Sequence, residues 1–249
     1  MRITAFIPAR YESTRFPGKP LHPIAGKPMI RRVYERACAC EVIQDVWVAT
    51  DDERIFREVN RFGGKAVMTA AKHHSGSDRI AVAAQALKLE DDDLIVNIQG
   101  DQPDFNSVSV EDLILPLERE SSHIPMSTLK YRIRDTKEIK DRKVVKVVTD
   151  LDDWALFFSH SAIPFYRDVG SEPIFFKHLG FYAYSLRFLK QFASLPPGKL
   201  ESAEKLEQLR ALEYGYRIKV VETAYDSPEI DTLEDAEKLA KSMARRRTA

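Results

Sequence analysis

Short apolar runs alternate with amphipathic stretches through the first hundred residues, and this pattern restricts the fold more than any other feature of the chain. Residues 3–7, 46–49, 66–68 and 94–98 read as strands, each separated from the next by a segment of helical character. Strands spaced in this way are joined by crossovers, so they are expected to form a mainly parallel, twisted sheet covered by helices, an α/β fold. Ligands of such sheets bind at the carboxyl ends of the strands, beside a reversal in strand order. The loops that follow these runs are therefore where chemistry is expected.

After residue 120 the pattern changes. Runs at 125–133, 144–149, 155–159 and 175–184 have little helix between the first three, which predicts an antiparallel extension. Residues 200–214 read as one helix, with Leu206, Leu209 and Leu212 as its apolar stripe and Gly215 as its stop; residues 218–223 read as a returning strand. The expected organisation is a single domain over 1–249, with a core of about 1–120 and 215–249 and a lobe of about 121–214.

Composition excludes several classes of partner. Lysine plus arginine and aspartate plus glutamate number 38 each, so no global field draws the chain to nucleic acid or anionic lipid. A bound anion then needs a local cationic cluster. Cys38 and Cys40 lie two apart in an expected helix, on different faces, which suits neither a disulfide framework nor a zinc site and fits a reducing cytoplasm. Pro8 comes too early for a signal-peptide core and no apolar run reaches the length of a membrane span, so a soluble protein is expected.

The first run opens directly into Pro8-Ala9-Arg10-Tyr11-Glu12-Ser13-Thr14-Arg15-Phe16-Pro17-Gly18-Lys19-Pro20, where prolines and a glycine keep the chain irregular. Arg10, Arg15 and Lys19 can surround a triphosphate, arginine offering paired donors and lysine a compact charge. A solvated basic loop is the plain alternative. The spacing is neither that of a Walker A loop nor that of a Gly-x-Gly-x-x-Gly dinucleotide turn, which argues against an oxidoreductase built on a similar sheet.

Ile7-Pro8-Ala9-Arg10-Tyr11 and Thr14-Arg15-Phe16-Pro17-Gly18-Lys19-Pro20-Leu21 closely resemble the opening of CMP-Kdo synthetases, the 3-deoxy-manno-octulosonate (Kdo) cytidylyltransferases. CMP-sialic acid synthetases share a looser version. The resemblance runs on through Val48-Ala49-Thr50-Asp51-Asp52, His74-Ser75-Gly76-Ser77-Asp78-Arg79, Val96-Asn97-Ile98-Gln99-Gly100-Asp101, Lys177-His178-Leu179-Gly180 and Leu206-Glu207-Gln208-Leu209-Arg210, nearly the whole chain. It implies a Rossmann-like nucleotide-diphospho-sugar transferase fold, a homodimer, Mg2+ as cofactor, and a lobe that binds sugar and dimerises. It also implies a reaction: the anomeric hydroxyl of an acidic eight-carbon sugar attacks the α-phosphorus of CTP and diphosphate leaves, as in lipopolysaccharide biosynthesis. Ala9, Arg10, Ser13, Arg15 and Lys19 fall on its nucleotide-binding positions, with Arg10 and Lys19 among the catalytic ones.

Asp101 follows the fourth run after only Gln99 and Gly100, where a carboxylate faces the expected crevice, although Gly-Asp is also an ordinary turn former. Asp231 has two readings. Asp231-Thr232-Leu233-Glu234 can be a capping box with Asp231 as the cap; alternatively Thr232 is the cap with Asp235 as its partner, and Asp231 stands before the helix. The resemblance favours the second, since Asp101 and Asp231 match its two metal-binding aspartates. Carboxylates about 4 Å apart repel by on the order of 4 kcal/mol at an effective dielectric near 20, an objection that a divalent ion removes. Magnesium takes one or two carboxylates together with phosphate oxygens and waters, so Asp101, Asp231 and CTP form a coherent set.

Ser75 or Ser77 suits an N-cap before an apolar helix. The resemblance instead assigns Ser75, Gly76 and Arg79 to the nucleotide, together with Asp101. Period-two alternation puts His178, Gly180, Tyr182 and Tyr184 on one strand face. The resemblance places His178 and Tyr182 at the sugar, with Gln99, Arg167, Glu207 and Gln208. Two positions depart from the family pattern: His160 stands where arginine is usual, and Gln102 where glutamate commonly follows Gly-Asp. Histidine offers a carboxylate fewer donors than arginine, and Gln102 matches members that activate the 8-amino analogue. The reading is a CTP-dependent activator of Kdo, with 8-amino-3,8-dideoxy-manno-octulosonate as the alternative sugar and a non-catalytic nucleotide-binding protein as the alternative of another class.

Overall fold

A computed structural model of the chain describes residues 1–12, 16–70, 75–120, 124–168 and 173–248. Two compact units are present, one comprising Met1–Val108 and Ser227–Ala249, the other Ser109–Asp226.

The first unit begins with β1 (Ile3–Ala9), a short hairpin of β2 (Pro23–Ile24) and β3 (Lys27–Pro28), and α1 (Met29–Cys38). It continues through β4 (Asp45–Thr50), α2 (Glu53–Arg61), β5 (Ala66–Met68), α3 (Gly76–Ala86) and β6 (Leu94–Asn97). All pairings among β1, β4, β5 and β6 are parallel, in the spatial order β6, β1, β4, β5. The alternation of apolar runs is thus realised as expected. Ala5, Phe6 and Ile7 of β1 are fully buried, which is why that strand reads as an unbroken apolar run rather than an alternating one. The chain leaves β1 toward β4 and β5, then crosses back to lay β6 on the other side of β1. That reversal puts the exits of β1 and β6 side by side, the place where open sheets bind ligands.

Gly100 keeps the two exits close. A Cβ there would lie 2.9 Å from the carbonyl oxygen of Pro8, so only glycine allows this approach. The β2–β3 hairpin has no counterpart in the sequence reading. Two residues per strand give no periodicity to detect, and its tight turn shows only in the positive φ of Ala25 (45°) and Gly26 (81°).

The second unit takes most of α4 (Ser107–Glu120), then β7 (Met126–Arg132), α5 (Thr136–Lys140), β8 (Lys146–Thr149), β9 (Ala155–Ser159) and β10 (Phe176–Ser185). It closes with α6 (Leu186–Ser194), α7 (Lys199–Glu204), α8 (Gln208–Glu213) and β11 (Ile218–Glu222). β7 pairs antiparallel with β10 and parallel with β11, while β8 and β9 form an antiparallel pair beside β10. The chain then returns to the first unit as α9 (Leu233–Thr248), where Ile230, Ala236 and Leu239 pack on Ile24 and Met29.

One element differs from its sequence reading. Residues 200–214 are not a single helix but α7 and α8, broken at Lys205, whose φ is 58°. Tertiary pairing pulls the segment back on itself: the Arg210 guanidinium donates to both carboxylate oxygens of Glu201 at 2.8 and 2.6 Å, and the Glu213 carboxylate accepts the N–H groups of Leu200 and Glu201. The Glu213 carboxylate caps the N-terminus of α7, and these charge-assisted bonds join residues nine to thirteen apart, which one continuous helix would hold too far apart to meet.

Candidate functional site

Three separate segments of the first unit bring Lys19, Asp101 and Asp231 together. Gly18, with φ 72°, donates its N–H to the carbonyl of Tyr11 at 2.9 Å and turns the loop back, so that Lys19 starts a short 3-10 turn. Asp101 follows β6, and its own carbonyl accepts the N–H of Ile230 at 2.9 Å, which draws the segment before α9 to the same place. The start of that helix resolves the two capping registers. Thr232 and Asp235 bond reciprocally, the threonine hydroxyl accepting from the Asp235 N–H and the Asp235 carboxylate accepting from the Thr232 N–H. Asp231 therefore lies before the helix.

The Lys19 ammonium stands 2.7 Å from Asp101 Oδ2 and 3.6 Å from Asp231 Oδ1. Its side chain is 13% exposed and theirs are 28% and 16%, so the cluster is partly shielded yet reachable. Two carboxylates around one ammonium leave a net negative charge at a point where a cation already sits. Hard carboxylate oxygens of this kind fit Mg2+. Among the described residues no three His, Cys, Asp or Glu side chains gather into a metal site. An ion held by this pair would take its remaining ligands from phosphate oxygens and water, the usual habit of magnesium.

Other expected nucleotide contacts lie around the same strand exits. Ala9 is buried at the end of β1, and Arg10 follows it, exposed. Ser13 and Arg15 lie outside the described residues, as does His74. The Ser75 hydroxyl accepts the N–H of Asp78 at 3.1 Å and so caps α3, and Gly76 begins that helix against the Pro8 ring. Arg79 is wholly buried: one arm donates to Thr69 Oγ1 at 2.6 Å and the other to Asp51 Oδ2 at 2.9 Å. Burial pulls its pKa below the ordinary guanidinium value and Asp51 offsets part of this. Its bonds lock the exit of β4 to that of β5. Asp51, within a segment quoted for the resemblance, was given no role from sequence; its partner lies 28 residues on. Gln99 donates to Asn97 Oδ1 at 3.3 Å.

Gln102, the departure from glutamate after Gly-Asp, points into the protein. It is fully buried, and its amide lies 3.5 Å from Glu229 Oε1.

In the second unit, His178, Tyr182 and Gln208 form a contiguous group. The rings of His178 and Tyr182 are 5.4 Å apart, and the Tyr182 hydroxyl donates to Gln208 Oε1 at 3.0 Å. Strand alternation alone would not produce this. The β10–β7 register shifts between His178 and Tyr182, with Gly180 at φ 68°, so the strand bulges there. Thr128 of β7 fills the bulge, its hydroxyl 2.8 Å from His178 Nε2 and 2.6 Å from the Phe181 carbonyl oxygen. Sequence reasoning missed Thr128, because nothing marks a threonine in an apolar strand as the partner of a histidine 50 residues away. Desolvation lowers the pKa of His178 to about 3, which keeps the ring neutral at physiological pH.

Glu207 is half-buried immediately before α8. Arg167 is exposed. His160 is engaged by its own surroundings: its Nδ1 is 2.6 Å from the Arg142 carbonyl oxygen, and its N–H donates to Glu204. The sequence-predicted sugar contacts of this unit thus comprise one contiguous group of three, with Tyr182 and Gln208 buried and His178 half-buried, together with Glu207 beside Gln208 in the chain and an exposed arginine.

A protein-family profile described as cytidylyltransferase matches residues 4–220. The 8-amino-3,8-dideoxy-manno-octulosonate cytidylyltransferase of Shewanella amazonensis is 56% identical over 94% of this chain and 96% of its own length. That of Shewanella frigidimarina is 53% identical over 98% and 99%. Among solved structures, CMP:2-keto-3-deoxy-manno-octonic acid synthetase complexed with CTP superposes with a TM-score of 0.91 at 41% identity, covering 99% of this chain and 100% of that one. A cytidylyltransferase from Leptospira borgpetersenii, 17% identical with a TM-score of 0.66, shares the fold.

Proposed function

The chain belongs to the cytidylyltransferase family and is a nucleotidyltransferase, and from that premise we propose that it joins the CMP part of CTP to 8-amino-3,8-dideoxy-manno-octulosonate, releasing diphosphate. The observation that carries the proposal is the convergence of Lys19, Asp101 and Asp231 from three segments at the exits of β1 and β6. The choice of sugar is supported by relatives of that name at 52–56% identity. Kdo itself is the second reading, favoured by the CTP-bound synthetase structure at 41% identity.

In the reaction, the anomeric hydroxyl oxygen forms a bond to the α-phosphorus, and the bond from that phosphorus to the bridging oxygen of the β-phosphate breaks. Arg10 and Lys19 hold phosphate oxygens, arginine through paired donors and lysine as a point charge. Asp101 and Asp231 would hold Mg2+, which would offset phosphate charge and make the attacking hydroxyl more acidic. Ser75 and Gly76 shape the wall beside the nucleotide, and Arg79 keeps that wall in place through Asp51 and Thr69. Gln99, His178, Tyr182, Glu207 and Gln208 bind the sugar's polar groups, and Arg167 meets its carboxylate. The enzyme works as a cytoplasmic homodimer.

The test is a sugar panel. The purified protein is given CTP, Mg2+ and either Kdo or its 8-amino analogue, with diphosphate release and product mass as readouts. A higher kcat/KM for the amino sugar is expected. Preference for Kdo would reverse the two readings, and no CMP-sugar from either would remove octulosonate activation.

A further inference from the structure

The polar groups beside His178 define a donor and acceptor pattern that the pairings of the second unit impose. The Phe181 carbonyl oxygen is an acceptor only, so the single proton of the Thr128 hydroxyl, 2.6 Å away, points at it. The hydroxyl then has only lone pairs left for His178 Nε2 at 2.8 Å, and Nε2 must carry the ring proton. A neutral imidazole protonated at Nε2 has an unprotonated Nδ1, which accepts hydrogen bonds. The Nδ1 atom has no partner among the described residues. Phe158, edge-on at 5.1 Å, holds the ring against rotation.

The neighbouring amide has the opposite polarity. Gln208 is 2% exposed, and its Oε1 is taken by the Tyr182 hydroxyl. Its Nε2 is a buried donor with no partner among the described residues. A buried amide N–H without an acceptor is destabilising, and a ligand oxygen would satisfy it.

We propose that Thr128 is a positioning residue of the sugar site: it holds His178 as the Nε2–H tautomer so that Nδ1 accepts a hydrogen bond from a hydroxyl or ammonium of the acidic sugar, while Gln208 Nε2 donates to one of its oxygens. The ligand half of this inference rests on the functional reading above; the tautomer half does not. Thr128 touches no substrate in this scheme. A valine there keeps the shape but frees the imidazole to lose its fixed protonation site, whereas serine retains the hydroxyl.

The experiment uses the full-length protein with 15N-labelled histidine, the His178 signals among the six histidines being assigned with His178→Gln. Wild-type protein is expected to show a protonated Nε2 and a bare Nδ1 whose resonance moves on titration with the sugar in the absence of CTP. Thr128→Val should lose that tautomer preference and raise the sugar KM about tenfold, with the CTP KM within about twofold, and Thr128→Ser should restore both. A proton on Nδ1 in wild-type protein, or an unchanged tautomer in Thr128→Val, overturns the positioning role; the wild-type spectrum decides this even if the valine variant fails to fold. A wild-type enzyme that forms CMP-sugar but shows no Nδ1 response overturns the sugar contact alone. Absence of CMP-sugar formation by wild type counts against the functional reading, and the tautomer still tests Thr128.

Discussion

The acidic cluster of the first unit and the aromatic group of the second treat polarity in opposite ways. Lys19, Asp101 and Asp231 are formally charged, partly exposed and leave an excess negative charge for a mobile cation to balance. His178, Tyr182 and Gln208 are neutral, and their hydrogen bonds dictate which atoms remain to donate or accept. The first arrangement suits groups whose charge changes during reaction, such as phosphates with a metal. The second suits a polyol, whose hydroxyls are told apart by direction rather than by charge. Under the proposed assignment, the chain divides the recognition of a nucleotide and of a sugar between electrostatic and geometric means.

The comparison breaks most visibly at the carboxylates. Asp101→Asn or Asp231→Asn should lower turnover about a hundredfold or more with the circular-dichroism spectrum unchanged, since each removes a charge but not a core side chain. Near-wild-type diphosphate release from either folded variant would remove the metal assignment. Next in size is a pair of cationic truncations. Lys19→Ala should raise the CTP KM about tenfold and Arg167→Ala the sugar KM about tenfold, as expected for loss of a charge-assisted hydrogen bond. Kinetics in which each variant moves only its own substrate would sharpen the division; a shift in the opposite substrate would undo it.

A smaller effect separates the neutral group from the charged one by pH. The folded His178 has a pKa of about 3 against an ordinary 6.5, so between these values the unfolded chain takes up the proton first. Stability present above about pH 6.5 is therefore lost progressively as pH falls toward 3. In His178→Gln the slope of unfolding free energy against pH should flatten in that window, measured by urea denaturation at several pH values; an unaltered slope would mean that His178 is not buried neutral. Smallest of all is Ser75→Ala, which removes the cap of α3 and should cost about 1 kcal/mol in the same assay. A rise in the CTP KM beyond what this loss of stability explains would show that Ser75 also meets the nucleotide.

Much of the architecture was legible without coordinates, for a definite reason. Alternating apolar runs determine parallel strands joined by crossovers, and β1, β4, β5 and β6 appear where the periodicity puts them. Capping chemistry is equally local. Both registers at Asp231 were visible in sequence, and the one that the resemblance favoured, with Thr232 and Asp235 paired, is the one whose hydrogen bonds form. What tertiary structure alone decided are relations across long separations: Lys19 with Asp101, 82 residues apart, and Thr128 with His178, 50 apart, the latter created by a register shift at Gly180. The same holds for Lys205, where Arg210 and Glu213 reaching back to Glu201 divide a segment that reads locally as one helix. Backbone propensity and caps act within a turn or two and are written in neighbouring residues. Bulges, buried amides and shared protons depend on which strands become neighbours, and that is settled only when the chain packs.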